Sequence, residues 1–195
     1  MPKSFLKDHS FLNSACFFEA TLIPLAIFLG WIVSINPFAN IFFTETALVN
    51  GVIGTIPLIL LFLAFEQIHA KSVGNIRRLL LDTLGPGLQH SHWTDLLILA
   101  LIAGIAEELL FRGVIQAWIE QFWGVTAGLV ISNCIFGLVH AVTPLYALLA
   151  GLVGIYLGLS LNYGTEKNLL VPIIIHGLYD FLAFFALIRM YRKSL

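Results

Sequence analysis

Apolar runs recur along the chain at about 16–35, 47–65, 94–122, 125–143, 145–161 and 169–190, separated by polar or Pro/Gly breaks. A helix needs roughly 20 apolar residues to cross a bilayer, so the pattern predicts six transmembrane helices. The first run follows Lys3 and Lys7 and resembles a signal sequence, but no small-residue cleavage site comes after it and Asn36-Pro37 ends it; a retained span is expected. Between the second and third runs, Val73, Ile76, Leu80 and Leu84 recur at helical spacing while Arg77, Arg78 and Asp82 fall elsewhere on the wheel. That pattern predicts a short helix lying in the interface over 71–84. Gly85-Pro86-Gly87 is expected to break it, and Thr94 or Asp95 to cap the next helix. Gly124/Gly128 and Gly154/Gly158 form small-xxx-small pairs suited to close helix packing. The expected fold is all-α: one membrane-embedded domain over 1–195, a polytopic bundle of about six spanning helices plus the interfacial one, without internal repeats.

Composition agrees with the pattern. Of 195 residues 59% are hydrophobic and 11% charged, with a mean hydropathy of +0.94, where a water-soluble domain carries about 25% charge. A large extramembrane catalytic domain is excluded. Ten Lys and Arg nearly balance eleven Asp and Glu, so no basic excess exists for a phosphate backbone, and nucleic acid is not an expected partner. Eight of the ten cations lie at the N-terminus, in the 66–93 loop and at the C-terminus. Basic loops stay cytoplasmic, which predicts both termini on that side, in the inner membrane of a prokaryotic cell given the short chain without organellar targeting. Cys16 and Cys134 share no short spacing with each other or with a His pair; they read as small apolar filler rather than metal ligands or a disulfide.

The informative residues are those a bilayer should reject: Glu107, Glu108 and Arg112 in the third run, His140 late in the fourth, and His176 with Asp180 in the sixth. A charge at a helix centre costs about 2.5–3.5 kcal/mol on insertion scales, so these need a reason to be there. From Thr94 to Glu107 is roughly 20 Å of helix, which places the glutamates near mid-membrane. Glu108 and Arg112, four apart with the acid on the N-terminal side, suit an ion pair. Glu107 points about 100° away, toward the side of Gly104 and Phe111. Glu108 and Arg112 are accordingly assigned to support and Glu107 to chemistry, the alternative being one buried ion cluster that pins the bundle. His140 shares a helical face with Phe136, and Asp180 is placed to orient the His176 ring. Taken as straight helices, the runs put Glu107 mid-membrane, His140 nearer the cytoplasmic face and His176 nearer the other, so tilted or interrupted helices must bring them together.

Glu107-Glu108-Leu109-Leu110-Phe111-Arg112 matches EExxxR, Phe136 to His140 matches FxxxH, and His176 to Asp180 matches HxxxN/D. In this order, on separate apolar helices, the motifs resemble the CPBP family of CAAX proteases and bacteriocin-processing enzymes, also called Abi, over a core of about 94–190. Asn162 to Pro172 resembles the polar turn and proline that often precede the family's last motif. The resemblance implies a glutamate-type intramembrane endopeptidase without a cofactor or metal, acting on a hydrophobic or lipid-anchored peptide in the membrane. It also implies roles: Glu107 and His140 activate a water, His176 and Asp180 stabilise the oxyanion, and Glu108, Arg112 and Phe136 support them. Asp180 stands where prenyl-processing members carry Asn, and an ionised carboxylate cannot donate to an oxyanion; Asp180 is either protonated or only orients His176.

Other classes fit part of the pattern. Glu107, His140, His176 and Asp180 would also serve zinc, although HExxH is absent. A serine mechanism lacks a GxSxG elbow, and Ser132 has no third member. A non-catalytic membrane binding or immunity protein, or a proton-coupled transporter, would also carry buried carboxylates and histidines.

Overall fold

The computed structural model describes residues 5–195, with side chains from Ser10 onward; the Lys3 and Lys7 charges used above lie outside the described side chains. The architecture is all-α. Helix α1 spans Phe5–Ile32 and α2 spans Glu45–Gln67, its first turn capped by the Thr44 side chain on the Ala47 N–H. Helix α3 covers Lys71–Leu88 and α4 covers Trp93–Glu108; the backbone then widens into a π-helical segment, Leu109–Gln116, before α5, Ala117–Val139. Helices α6, Pro144–Ser160, and α7, Leu170–Ser194, complete the bundle. Ser10–Ile32, Glu45–Gln67 and Leu170–Ser194 are long and apolar enough to cross a membrane, and α6 is a shorter apolar helix. Large apolar side chains such as Phe17, Trp31, Phe43, Phe122 and Leu138 point outward, a surface that suits lipid and not water.

Two of the expected boundaries shift, and one expected packing glycine has another role. The chain does not break at Gly85-Pro86-Gly87: α3 continues to Leu88, because the two glycines are where Tyr191 and Phe11 press on the helix. A Cβ at Gly85 would sit 2.3 Å from the Tyr191 ring and one at Gly87 2.4 Å from that of Phe11. The cap of α4 is His92 rather than Thr94 or Asp95. Its ring accepts from the Thr94 N–H, while Asp95 reaches back to the His92 N–H at 2.9 Å, a reciprocal arrangement that satisfies two donors at once. Gly124 is not a packing contact. It holds φ 81°, ψ 169° with no atom within 4 Å of a Cβ built there, and this left-handed backbone, open to glycine, divides the apolar stretch near 122–125 as the hydropathy pattern requires. Cys134 is exposed instead of filling a core, and Cys16 is half-buried; both are free thiols.

The bundle is organised around α7, which packs on α4 and α2, while α1 packs on α4 and α5 on α6. A close crossing that bears on the site is α4 on α7. A Cβ at Gly104 would lie 2.9 Å from the Gly177 nitrogen and 3.2 Å from the Ile173 carbonyl oxygen, so the two backbones nearly touch one turn before Glu107 and Glu108, and one residue after His176. The start of α7 is fixed from the other side of the molecule. Asn168, 8% exposed, accepts from the Phe42 and Leu170 N–H groups and donates to the Phe42 carbonyl. Pro172 falls in the first turn, where no intrahelical N–H is lost. This is the polar turn and proline seen in the sequence, and its anchoring sets the register of His176.

The α4/α7 contact predicts the cost of widening it. Gly104→Leu should lower unfolding stability in detergent by about 1–3 kcal/mol through overpacking. Gly74→Ala, in α3 with nothing within 4 Å of the added carbon, should be neutral or stabilising by up to about 1 kcal/mol. Thermal unfolding of the two purified variants checks both.

Candidate active site

The last turn of α4 carries Glu107 and Glu108, and the π-helical segment that follows carries Phe111 and Arg112. Such segments are rare and gather at functional positions; the sequence reading, which assumed an uninterrupted α-helix, did not expect one. The Glu108–Arg112 pair forms all the same. Arg112 Nη1 donates to Glu108 Oε1 at 2.8 Å, and both side chains are fully buried. Nη2 donates to Asn133 Oδ1 at 2.9 Å and to the Gly154 carbonyl at 2.8 Å, and the guanidinium lies 4.7 Å from the centre of the Phe136 ring. A cation that cannot reach solvent is thus held by one carboxylate, two neutral oxygens and an aromatic face, from α4, α5 and α6 together.

Glu108 does a second thing. The oxygen that accepts from Arg112 also lies 2.8 Å from His176 Nδ1. A carboxylate oxygen in an ion pair accepts, so Nδ1 carries the proton and donates; the ring of α7 is thereby tied to α4. The other ring nitrogen, Nε2, lies 3.4 Å from Asp180 Oδ2, one turn on, and 4.0 Å from Glu107 Oε2.

His140 ends α5. Its backbone leaves the helix with φ −94°, ψ 11°, and Nδ1 donates to the Phe136 carbonyl at 2.8 Å. Nε2 then faces Glu107 Oε2 at 3.7 Å, too long for a hydrogen bond. Glu107 Oε2 itself is buried without a direct partner. Phe136 ties the group together: its ring lies 4.4 Å from His140, 6.3 Å from His176 and edge-on to Phe111 at 4.9 Å.

All the residues singled out from the sequence meet here. Glu107, His140, His176 and Asp180 turn inward around one volume, while Glu108, Arg112 and Phe136 lie behind them. The depth mismatch that straight helices would impose is removed by the π segment, by the end of α5 at His140 and by the register of α7. Of the glycine pairs, Gly154 and Gly158 act as expected: a Cβ at Gly154 would collide with Asn133 Oδ1 at 2.4 Å, and one at Gly158 with Leu129 at 2.6 Å. Gly128 packs on Glu120 and Gln116, just before the break at Gly124. Ser132 bonds to the Leu129 carbonyl. Among the described residues, no group of three or more His, Cys, Asp and Glu is arranged to hold a metal ion.

The four inward residues stand at the polar end of a cavity of about 410 Å³. Its other walls are apolar side chains of α2 and α3, including Leu58, Phe62, Ile76 and Leu80, with Phe11, Ala15 and Glu19 from α1.

A family model described as type II CAAX prenyl endopeptidase Rce1-like matches residues 89–182, which contain all three motifs in their observed places. The match covers 94 of the 195 residues, and over them the chain is similar to that family. It is a family of glutamic intramembrane proteases. No curated protein and no solved structure matches the chain.

Two residues of the site were not read from the sequence. Asn133 holds Arg112, and Glu19 faces the cavity from α1; both interrupt apolar runs, which is the signal that led to Glu107 and His176. The clamp predicts its own removal cost. Arg112→Met leaves Glu108 buried without its cation and should destabilise the protein in detergent by about 3–5 kcal/mol. Arg112→Lys should recover little of it, since an ammonium cannot reproduce the planar fork to Glu108, Asn133 and Gly154. Unfolding midpoints of the two variants test this.

Proposed function

We propose that this protein is an intramembrane endopeptidase that hydrolyses a peptide bond in a hydrophobic or membrane-associated tail or leader, using water activated by Glu107 and His140. The observation that carries the reading is the facing of two acceptors. With Nδ1–H committed to the Phe136 carbonyl, a neutral His140 offers a lone pair at Nε2, and Glu107 offers its carboxylate oxygen 3.7 Å away. Two acceptors at that separation complement a molecule with two O–H donors. Water held there directs its oxygen lone pairs away from both, toward a carbonyl entering from the cavity.

The chemistry then runs through protein groups alone. Glu107 takes a proton from the water as the oxygen bonds to the carbonyl carbon. The developing oxyanion faces His176 Nε2. Because Nδ1 already donates to Glu108, donation from Nε2 uses the doubly protonated ring, which the carboxylates of Glu108 and Asp180 flank. Asp180 accordingly orients His176 and does not itself donate, so Asp serves where prenyl-processing members carry Asn. When the C–N bond breaks, the proton on Glu107 passes to the leaving amine nitrogen. Preorganised donors and acceptors in a water-poor site act strongly on developing charge.

The membrane setting follows from the same elements. We read six spans, the third made of α4, the π segment and the first part of α5, and the fourth of the remainder of α5, with both termini cytoplasmic by the placement of basic residues. The apolar walls of the cavity suit a peptide tail that arrives from lipid.

Purified protein in proteoliposomes, offered a pool of hydrophobic peptides, tests the reading. Glu107→Gln should lower cleavage by at least about a hundredfold, and His140→Ala by a comparable factor, while strong chelators leave the wild-type rate unchanged. Cleavage that survives Glu107→Gln, or that stops on chelation, contradicts it.

A further inference from the structure

Among the described residues that line the cavity, Glu19 and Glu66 are carboxylates to which the mechanism gives no task, and Glu66 is paired with Arg77; Glu19 has no such cation. It stands in α1, outside the residues that carry the family motifs, and lines the same hollow as Glu107, His140, His176 and Asp180. Its Oε2 is buried without a hydrogen-bond partner, a costly state for an acceptor unless something occupies it in use. The groups that share the cavity with it are two carboxylates, Glu107 and Asp180, and two imidazoles, His176 and His140. Those imidazoles are already engaged, His176 by Glu108 and Asp180, His140 by the Phe136 carbonyl and Glu107.

The balance of charge around the cavity says what is missing. Among the described residues that line it, the only Lys or Arg is Arg77. That side chain is taken: its Nε lies 3.3 Å from Glu66 Oε1 and its Nη2 donates to the Glu66 carbonyl at 3.1 Å. Arg112 is sealed behind Phe136. The cavity therefore presents three carboxylates without a paired cation, Glu19, Glu107 and Asp180, to two imidazoles and, among the described residues, to no free ammonium or guanidinium.

We propose that Glu19 is a specificity-determining residue that receives a cationic side chain of the substrate, lysine or arginine, close to the scissile bond. The inference deepens the protease reading and rests on it for the word substrate, but it is a statement about binding. A substrate of this kind is apolar over most of its length, to match the α2 and α3 walls, and carries one basic residue at a fixed offset from the cleaved bond. Like charge at that offset is rejected, since an acidic side chain would meet Glu19 and Asp180.

The test is equilibrium binding to the Glu107→Gln protein in detergent, which removes turnover. The probes are fluorescent hydrophobic peptides in which one lysine replaces norleucine at each successive position. At one position lysine should tighten binding about tenfold, the scale of a charge-assisted hydrogen bond, and glutamate there should weaken it. Adding Glu19→Gln should erase the lysine advantage at that position while leaving the norleucine peptide unchanged. A lysine preference at no position, or one that survives Glu19→Gln, overturns the proposal. Should Glu19→Gln fail to fold by thermal unfolding, the glutamate peptide decides: binding equal to norleucine at every position overturns the assignment. Peptides that bind with this pattern yet remain intact with wild-type protein would instead contradict the protease reading alone.

Discussion

A guanidinium with no route to water has to be satisfied by the protein, and much of this molecule is arranged around meeting that demand for Arg112. Glu108 supplies the counter-charge, Asn133 and the Gly154 carbonyl accept from the second terminal nitrogen, and Phe136 covers the face. Because Arg112 follows Glu108 across the α4/π junction and the other groups come from α5 and α6, the cation fixes three pieces of chain relative to one another. The fourth piece, α7, joins through the same Glu108 oxygen, which His176 shares. A buried ion pair contributes little net stability compared with an apolar substitute. What it confers here is position: Arg112 is taken up by Glu108, and Glu107 faces His140 and His176.

The neighbouring acids illustrate how one pair of adjacent residues is given opposite environments. Glu108 is fully enclosed and shares one oxygen between a cation and an imidazole, whereas Glu107, 7% exposed, has no direct cation partner and lines the cavity. A carboxylate held in a buried ion pair is a poor base, and one that faces a cavity is available for proton transfer. The glycine contact between α4 and α7 makes the second environment possible by bringing the two backbones close at Gly104 and Gly177.

Much of this was legible in the sequence, and the limits are instructive. Helical spacing separated Glu107 from Glu108 and paired Glu108 with Arg112, because i,i+4 geometry is local and survives even the π segment. Hydropathy located the runs and the short amphipathic helix because burial in lipid depends on composition. What a sequence does not carry is register between distant segments. The sharing of Glu108 by Arg112 and His176 and the anchoring of Asn168 to Phe42 are contacts between remote parts of the chain, and straight-helix depths put the three segments of the candidate site at different levels. The break expected at Gly85-Pro86-Gly87 failed for the same reason: Tyr191 and Phe11 arrive from other helices. Asn133 and Glu19, by contrast, were visible as polar interruptions and went unread because neither belongs to a motif.

The central claim is that Glu107 hydrolyses a peptide bond with solvent water in the membrane. The most direct measurement is mass spectrometry of membrane peptides from cells carrying wild-type or Glu107→Gln protein, with the digestion step repeated on isolated membranes in 18O-labelled water. The account predicts a product present only with Glu107 whose new carboxyl end gains one labelled oxygen. Identical peptides from both proteins, or a Glu107-dependent product without the label, would contradict it.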